Sequence, residues 1–297
     1  MELEWVDPLE EDQLPAVGEL CRRCLAVDGG LPATVAPEFL GSRYTGGTVT
    51  ALGLRDGTGT LVAAGSVRDR RGVATVTGQV DPAHRRQGLG AALLDRLLDV
   101  ARGRAVGRIA VETEALTAEA DALFRSRGLR QAFAEDVLRR SLEAALPEVP
   151  LPETVGIEEW DESNQGDFFE AYRSAFAERP GFPGWTEAQW VDWTAADDDF
   201  RPRYSLLARA LDGSPAAFVT CAQGFLIQIG TVPRWRGRGL GRGLATAALA
   251  RMRAAGVEDV FLDVNVNNPA SAALFRSLGF SPVARRARYE EAPAEQR

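Results

Sequence analysis

Residues 227–244 read Ile227-Gln-Ile-Gly-Thr-Val-Pro-Arg-Trp-Arg-Gly-Arg-Gly-Leu-Gly-Arg-Gly-Leu244. The apolar start predicts a buried strand, the proline a turn, the mixed arginines and glycines a loop, and the following residues a helix. Glycine lets a backbone approach a ligand closely, and the free N–H groups of a helix's first turn lie at the positive end of its dipole. The stretch therefore predicts a binding site for an anion such as a pyrophosphate.

Two other kinds of glycine-rich phosphate loop are excluded by residue identity. A Walker loop needs a lysine after its glycines, and all 34 basic residues of this chain are arginine. A dinucleotide fingerprint needs a third glycine, and that position falls on Arg242 or on Leu244, depending on the starting glycine. The stretch is typical of neither a nucleoside triphosphate site nor a dinucleotide site.

Two motifs in this half of the chain resemble those of the GNAT acetyltransferases. The spacing Arg236-x-x-Gly239-x-Gly241 resembles the coenzyme A loop of that family. Residues 268–280, Asn268-Pro-Ala-Ser-Ala-Ala-Leu-Phe-Arg-Ser-Leu-Gly-Phe280, resemble the helix that closes the family's cofactor site, and a predicted strand at 260–264 precedes them. By the order and spacing of both motifs, the chain is identified as a member of this family.

The same pattern occurs once more, earlier in the chain. Gly88 corresponds to Gly239 and Phe124 to Phe275, and both differences (239 − 88 and 275 − 124) equal 151. We expect a first domain at 1–141, a Pro-rich linker at 142–152 and a second domain at 153–297. The resemblance implies an α/β fold with two tandem acyltransferase domains, each a mixed, V-split sheet flanked by helices. For the first domain, the pattern predicts strands at 48–55, 60–68, 73–80 and 108–113 and helices at 10–27 and 117–127.

Composition and charge exclude several classes of partner. The net charge is −8, which argues against binding to nucleic acid or to an anionic membrane, since both require basic faces. No apolar run reaches the length of a membrane span, and the N-terminus lacks the pattern of a signal peptide. We therefore expect a cytoplasmic protein, monomeric or homodimeric, with a small-molecule partner and no nucleic-acid or membrane partner.

The cysteines indicate neither a metal nor a redox site. Cys21 and Cys24 form a single C-x-x-C inside a predicted helix, and Cys221 stands alone in a predicted strand. A zinc site needs a second ligand pair, and a redox dithiol favours a helix N-terminus. We expect buried thiols and no bound metal.

The family resemblance implies that acetyl coenzyme A lies between two diverging parallel strands, with its pyrophosphate on the glycine-rich loop. In the second copy, the implied cofactor-binding residues are Ile229, Gly230, Thr231, Arg236, Gly237, Arg238, Gly239, Leu240, Gly241, Arg242, Asn268 and Phe275. In the first copy, they are Val80, Arg85, Arg86, Gln87, Gly88, Leu89 and Gly90. The second copy keeps more of the family's motif and is the expected better cofactor site.

The catalytic groups are less clearly indicated. The family's proton-donating tyrosine is replaced by Phe275 in the second copy and by Phe124 in the first, so that water or Tyr289 on the last strand would have to protonate the leaving thiolate. The candidate base in the second copy is Asp263, on the strand beside the cofactor, where a purely structural role is equally compatible with the sequence. The first copy offers Glu112 and Glu114 on its corresponding strand.

The acceptor is sought in the segment 172–193, since the family's first two helices and their connecting loop cover the acceptor site. Phe182 and Trp185 are the candidate substrate contacts because the Gly/Pro-rich loop at 180–184 is typical of an exposed loop. The helical spacing of Trp185, Trp190 and Trp193 is more typical of core residues. The segment is similar in plan to the second domain of mycothiol synthases, which acetylate the cysteinyl amine of a pseudodisaccharide.

These features favour an N-acetyltransferase that transfers an acetyl group directly to a small primary amine or aminothiol within a ternary complex. No lysine is present, and neither His84 nor Cys221 is expected beside the thioester of the second copy, so that no residue is placed there to carry an acyl group. The alternative is a coenzyme A sensor or scaffold protein, in which the two phenylalanines mark lost catalysis.

Overall fold

The computed structural model describes residues 3–70, 72–104, 107–179, 182–196 and 198–291. The chain divides into two units, each with its own internal contacts. The first unit comprises the described residues of Met1–Val137, Asn265–Asn267 and Pro282–Arg297, and the second comprises those of Leu138–Val264 and Asn268–Ser281. The second unit begins close to the linker that the sequence predicts, but the last segment of the chain belongs to the first unit.

The first half of the chain forms strands where apolar residues alternate or run together, and helices where they recur every three or four residues. In chain order, the elements are β1 (Leu3–Val6), α1 (Leu14–Asp28), α2 (Pro37–Tyr44), β2 (Val49–Asp56), β3 (Leu61–Arg70), β4 (Val73–Val80), α3 (Leu89–Arg102), β5 (Arg108–Thr113), α4 (Ala118–Ser126) and β6 (Leu129–Ser141). These bounds agree with those predicted from the sequence to within a few residues.

The second half repeats this order. Its elements are β7 (Val155–Glu159), α5 (Gln165–Phe176), α6 (Glu187–Ala195), β8 (Leu206–Ala210), β9 (Pro215–Ala222), β10 (Phe225–Thr231), α7 (Leu240–Ala254), β11 (Asp259–Asn265), α8 (Pro269–Ser277) and β12 (Ser281–Glu291). Among the described residues, no helix combines the length and the apolar character that crossing a membrane requires.

Both units contain a mixed sheet with one parallel pair beside the glycine-rich loop. In the first unit, β1 to β4 pair antiparallel in sequence order, and β4 then pairs parallel with β5. In the second unit, β7 to β10 repeat the antiparallel series, and β10 pairs parallel with β11. The predicted α/β fold with two tandem domains of the same plan is confirmed.

The last strand of the chain does not follow chain order. β12 pairs antiparallel with β5 of the first unit, with Tyr289 opposite Val111. The sequence prediction placed residues 282–297 in the second domain, and of these the described residues lie in the first unit instead. The physical reason is that β12 completes the first unit's core, where Ala287 and Tyr289 are buried with the leucines of α3.

Tyr289 anchors this strand. Its side chain is 0% exposed, its ring packs against Phe124 at a centroid distance of 4.9 Å, and its hydroxyl donates to the carboxylate of Asp121. Burial, with the neighbouring Asp121, raises the pKa of Tyr289 to about 12. The phenol is therefore protonated at neutral pH and engaged with Asp121 in the first unit, so that it is not a residue of the second glycine-rich loop.

This packing predicts different results for two substitutions of Tyr289. Tyr289→Ala removes a buried ring and should lower the free energy of unfolding of the first unit by about 3–5 kcal/mol. Tyr289→Phe keeps the ring and should cost only about 1 kcal/mol, the usual contribution of a hydrogen bond. Hydrogen–deuterium exchange of β5 checks this: its amides should lose protection in the alanine variant alone. Equal protection in both variants would mean that the ring does not hold the strand.

Candidate active site

The parallel strands of the first unit diverge before they end. The ladder between β4 and β5 runs from the Val73–Arg108 pair to the Val76–Val111 pair, although β4 continues to Val80. Beyond β4 the chain turns and enters α3 at Leu89, whose N-cap is Gly88. The first turn of α3 thus begins at the mouth of the gap between the two strands.

The second unit repeats this geometry. The parallel pairing of β10 and β11 consists of the Phe225–Phe261 pair, after which β10 continues to Thr231. Helix α7 then begins at Leu240 with Gly239 as its N-cap. We call the segments 85–91 and 236–242 the first and second cradle.

The backbone of both cradles includes residues in the left-handed conformation, with positive φ. Gly88 and Gly239 have φ values of 83° and 80°, and Gly237 has 76°. At Gly237's equivalent in the first cradle stands Arg86, which adopts φ 63° at a cost of roughly 1–3 kcal/mol for a residue with a Cβ atom. Retention of this strained conformation points to a functional role for the loop's shape.

Both cradles have room for an anion. A Cβ atom added to Gly88, Gly237 or Gly239 would meet no described atom within 4 Å, so that the space in front of these glycines is open. The side chains of Leu89 and Leu240 are buried in the core, which leaves only backbone groups of these residues to face a ligand. Open space, free N–H groups and the positive end of a helix dipole together fit a pyrophosphate.

The first arginine of each cradle connects the loop to the preceding strand by hydrogen bonds. Arg85 donates from Nε to the carbonyl of Val80 at 3.1 Å and forms a bidentate pair with Asp28 at the end of α1. Arg236 likewise lies 3.4 Å from the carbonyl of Thr231, and its guanidinium donates to Glu178 at 3.3 Å. These two arginines therefore fix the loop to the strand before it. Three further arginines of the cradles are exposed, namely Arg86, Arg238 and Arg242. Arg86 lies 3.2 Å from Glu119, and the guanidinium of Arg238 lies 4.6 Å from the ring centre of Trp235.

The helices that close the gaps begin with side-chain caps. Thr117 accepts a hydrogen bond from the N–H of Ala120 at the start of α4, and Asn268 accepts one from the N–H of Ser271 at the start of α8. Phe124 and Phe275 lie further along these helices and are buried. Neither can donate a proton, which agrees with the expectation that the leaving thiolate takes its proton from another source.

Two carboxylates lie beside the first unit's gap, Glu112 on β5 and Glu114 just after its end. Arg43 donates to Glu112 and to Glu114, each at 2.7 Å, and Arg68 lies 3.3 Å from the same oxygen of Glu112. Burial raises the pKa of Glu112, but the hydrogen bond and charge of Arg43 outweigh burial, so that the net pKa lies below its usual value. Glu112 is therefore ionised at neutral pH. Asp263, half-buried on β11, occupies the equivalent position in the second unit, since 263 − 112 equals 151.

A cavity of about 770 Å³ lies within the first unit. One end is formed by the first cradle and the gap between β4 and β5, and the other by helices α1 and α2 together with Glu112 and Glu114. Its size lies within the range of about 300–1,000 Å³ that is common for small-molecule sites. The sequence pattern favours the second copy as the cofactor site and does not indicate this cavity.

Cys21 and Cys24 line this cavity, one turn apart on α1. Both are buried free thiols, as the sequence predicts, and Cys24 lies 3.5 Å from the carbonyl of Val80. Burial raises the pKa of Cys21 to about 12 and that of Cys24 to about 11. The thiols therefore stay protonated and are poor nucleophiles. Their shared position on one face of α1 follows from the i, i+3 spacing.

The corresponding region of the second unit is filled by aromatic side chains. Tyr172, Trp190 and Phe218 are buried there, and the rings of Tyr172 and Trp190 stack at 4.9 Å. The predicted substrate contacts Phe182 and Trp185 lie beside them, at 5.5 Å and 6.5 Å from the ring of Tyr172. Residues 180–181 of the predicted exposed loop lie outside the described residues.

Within the described part of the chain, no group of three or more histidine, cysteine, aspartate or glutamate side chains could hold a metal ion.

Comparison with known proteins agrees with this geometry. The family model described as "Acetyltransferase (GNAT) family" matches residues 37–129 and 158–280. The chain is 31% identical to the mycothiol acetyltransferase of Clavibacter michiganensis subsp. michiganensis, over 95% of this chain and 92% of that protein. It is 32% identical to the mycothiol acetyltransferase of Clavibacter sepedonicus, over 95% of this chain and 93% of that protein.

Solved structures show the same fold. A GCN5-related N-acetyltransferase from Sphaerobacter thermophilus superposes with a TM-score of 0.77 at 22% identity, covering 98% of this chain and 96% of its own. A tandem GNAT protein from the clavulanic acid biosynthesis pathway gives a TM-score of 0.64 at 20% identity, covering 99% and 100%. With two cradles of one geometry and two matched segments, the chain belongs to the GNAT acetyltransferase family and is an N-acetyltransferase.

Proposed function

We propose that the protein transfers the acetyl group of acetyl coenzyme A to the primary amine of a small molecule or aminothiol. The observation that carries this proposal is the cradle at each helix start, open in front of its glycines and set at the mouth of two diverging strands. Backbone N–H groups there would hold the pyrophosphate, and the unpaired edge of β4 or β10 would hold the extended pantetheine arm. The relatives named mycothiol acetyltransferase support a small acceptor.

Transfer is proposed to be direct, within a complex that holds both substrates. A carboxylate at the shared strand position, Glu112 or Asp263, or a water that it orders, would accept the ammonium proton. The amine then attacks the thioester, and the thiolate of coenzyme A leaves without a tyrosine to protonate it. The cysteines of the first unit are protonated thiols, and burial also raises the pKa of Cys221, which disfavours an acyl-enzyme.

Calorimetric titration with coenzyme A tests the two cradles. The parent protein should bind two molecules per chain, and Gly88→Asp and Gly239→Asp should each remove one, because a carboxylate would stand where the phosphates bind. Gly59→Asp and Gly256→Asp are matched controls, since both glycines have φ of 82° and open space in front of them. A Gly239→Asp variant that titrates like the parent would show that the second cradle is not the pyrophosphate site.

Initial-rate kinetics test the order of events. With acetyl coenzyme A and an amine both varied, the double-reciprocal lines should intersect, because both substrates are bound before the transfer. Parallel lines, or an acetylated protein isolated without acceptor, would contradict direct transfer.

The double variant Glu112→Gln/Asp263→Asn tests whether a carboxylate on this strand is the base. Removing both groups should lower kcat on the order of a hundredfold with little change in coenzyme A affinity, which is the usual scale for loss of one proton-transfer group. A double variant at the parental rate would move the role to solvent. A parent that releases no thiol with any amine of a broad panel, including the acceptor of mycothiol synthases, would instead favour the sensor or scaffold function.

A further inference from the structure

The first unit's cavity is continuous from the donor end to the acceptor end. Gly88 and Val80 line the donor end, while Tyr44, Glu112 and Glu114 line the other. Direct transfer requires the amine and the thioester to be held next to each other, and a single cavity lined by both the cradle and the carboxylates meets this requirement. The cavity is therefore more than a coenzyme A channel.

The acceptor end is polar and held in place. Arg43 is buried to 10% side-chain exposure, and it connects the end of α2 with Glu112 on β5 and with Glu114 just after it. Arg286 binds the second oxygen of Glu114 at 2.9 Å. The backbone carbonyl of Arg43 in turn accepts from Ser66 at 2.7 Å, so that the arginine is fixed at both ends. The two carboxylates are thus held in fixed positions by arginines, and an ammonium group that binds there would share their oxygens with Arg43, Arg68 and Arg286.

Among the described residues, larger side chains occupy the corresponding region of the second unit. Cys21 of α1 corresponds by the 151-residue offset to Tyr172 of α5, whose ring is 3% exposed. Across the sheet, Gln79 pairs with Ala64 in the first unit, whereas its counterpart Gly230 pairs with Phe218 in the second. Of these small residues, Cys21 lines the cavity, and its counterpart in the second unit is the ring of Tyr172.

The described side chains beside β10 are closely packed at Gly230. A Cβ atom added to Gly230 would lie 2.6 Å from a ring carbon of Phe218 and 2.8 Å from the Cβ of Ala175. The neighbouring Gln228 accepts a hydrogen bond from the indole N–H of Trp190 at 3.0 Å. The side chains that would have to contact an acceptor are therefore packed against one another.

From this difference we propose that the acceptor, a small polar primary amine, binds in the cavity of the first unit, with its ammonium group toward Glu112 and Glu114. The second cradle then takes coenzyme A without an acceptor beside it. This proposal rests on the proposed acetyl transfer and reverses the preference for the second copy that the sequence alone suggests. It makes Glu112, rather than Asp263, the carboxylate that receives the proton.

The step balances within the first unit. The ammonium group gives one proton to Glu112 or to a water that Glu112 orders, and the freed lone pair forms the C–N bond to the acetyl carbonyl carbon. The C–S bond breaks and its electron pair leaves on the sulfur of coenzyme A. The second proton of the attacking nitrogen then passes through water to this thiolate, so that the products are the amide, the thiol of coenzyme A and the one proton that Glu112 or its water accepted. Arg43 acts as a positioning residue that keeps Glu112 in place and ionised.

Single carboxylate variants test the assignment. Glu112→Gln should lower kcat on the order of a hundredfold while coenzyme A titration still gives two sites. Glu158→Gln is the matched control, because Glu158 is likewise paired with an arginine, Arg209, but lies outside the cavity, and it should behave like the parent. A loss confined to Asp263→Asn would place the acceptor in the second unit and overturn the proposal.

A second variant tests the volume itself. Cys21→Tyr introduces the second unit's side chain into the cavity and should raise the KM for the amine about tenfold or more. The tyrosine ring would take space from the amine, and even a small loss of binding free energy changes the affinity tenfold. Retained binding of coenzyme A at the second cradle shows that the variant is folded, and a parental KM in such a protein overturns the proposal. If the variant does not fold, the Glu112→Gln result alone decides whether the acceptor binds in the first unit.

The two proposals fail in different ways. A parent protein that acetylates no amine removes the proposed function itself. An active parent that is insensitive to both Glu112→Gln and Cys21→Tyr leaves acetyl transfer intact and removes only the assignment to the first unit.

Discussion

The structure depends on the point at which two parallel strands stop pairing. In the first unit, the ladder ends at Val76 and Val111, and in the second it consists of Phe225 and Phe261. Backbone groups beyond that point still require hydrogen-bond partners, because an unpaired buried N–H or C=O costs about as much as a lost hydrogen bond. An extended ligand arm can supply these partners, and a helix that starts at the mouth of the gap can hold the anion at the end of such an arm.

The cradles could be predicted from the sequence because their geometry is encoded locally. The left-handed φ values at Gly88 and Gly239 need residues without a Cβ atom, and the helices that follow have the expected apolar spacing. The 151-residue offset then located the second copy without reference to any structure. Strand and helix limits in the first unit agree with the pattern for the same reason.

The features that the sequence did not reveal are nonlocal. The alternation in β12 indicates that Tyr289 is buried, but a strand's own residues do not specify which neighbour it pairs with, and the partner is β5 of the first unit. The cavity is also nonlocal, since its lining comes from α1, α2, β4 and β5 together. A comparison of Cys21 with Tyr172 at the known offset would have indicated it, because a small residue and a large one there imply different volumes.

The two proposed binding functions depend on different parts of the chain. Pyrophosphate binding depends on the backbone, and acceptor binding depends on side chains. The proposed pyrophosphate binding would use N–H groups and open glycines, so that it would tolerate very different side chains nearby, and the glycines of both cradles are open. Acceptor binding needs an empty volume and charged side chains at fixed positions, and a few enlarged residues are enough to remove it. Phe218 and Tyr172 are buried while the space in front of Gly239 is open, so that the proposed donor site of the second unit does not depend on room for an acceptor. Tyr172 and Phe218 belong to a buried aromatic cluster. The side chains that fill this region therefore stabilise the second unit by burying apolar surface.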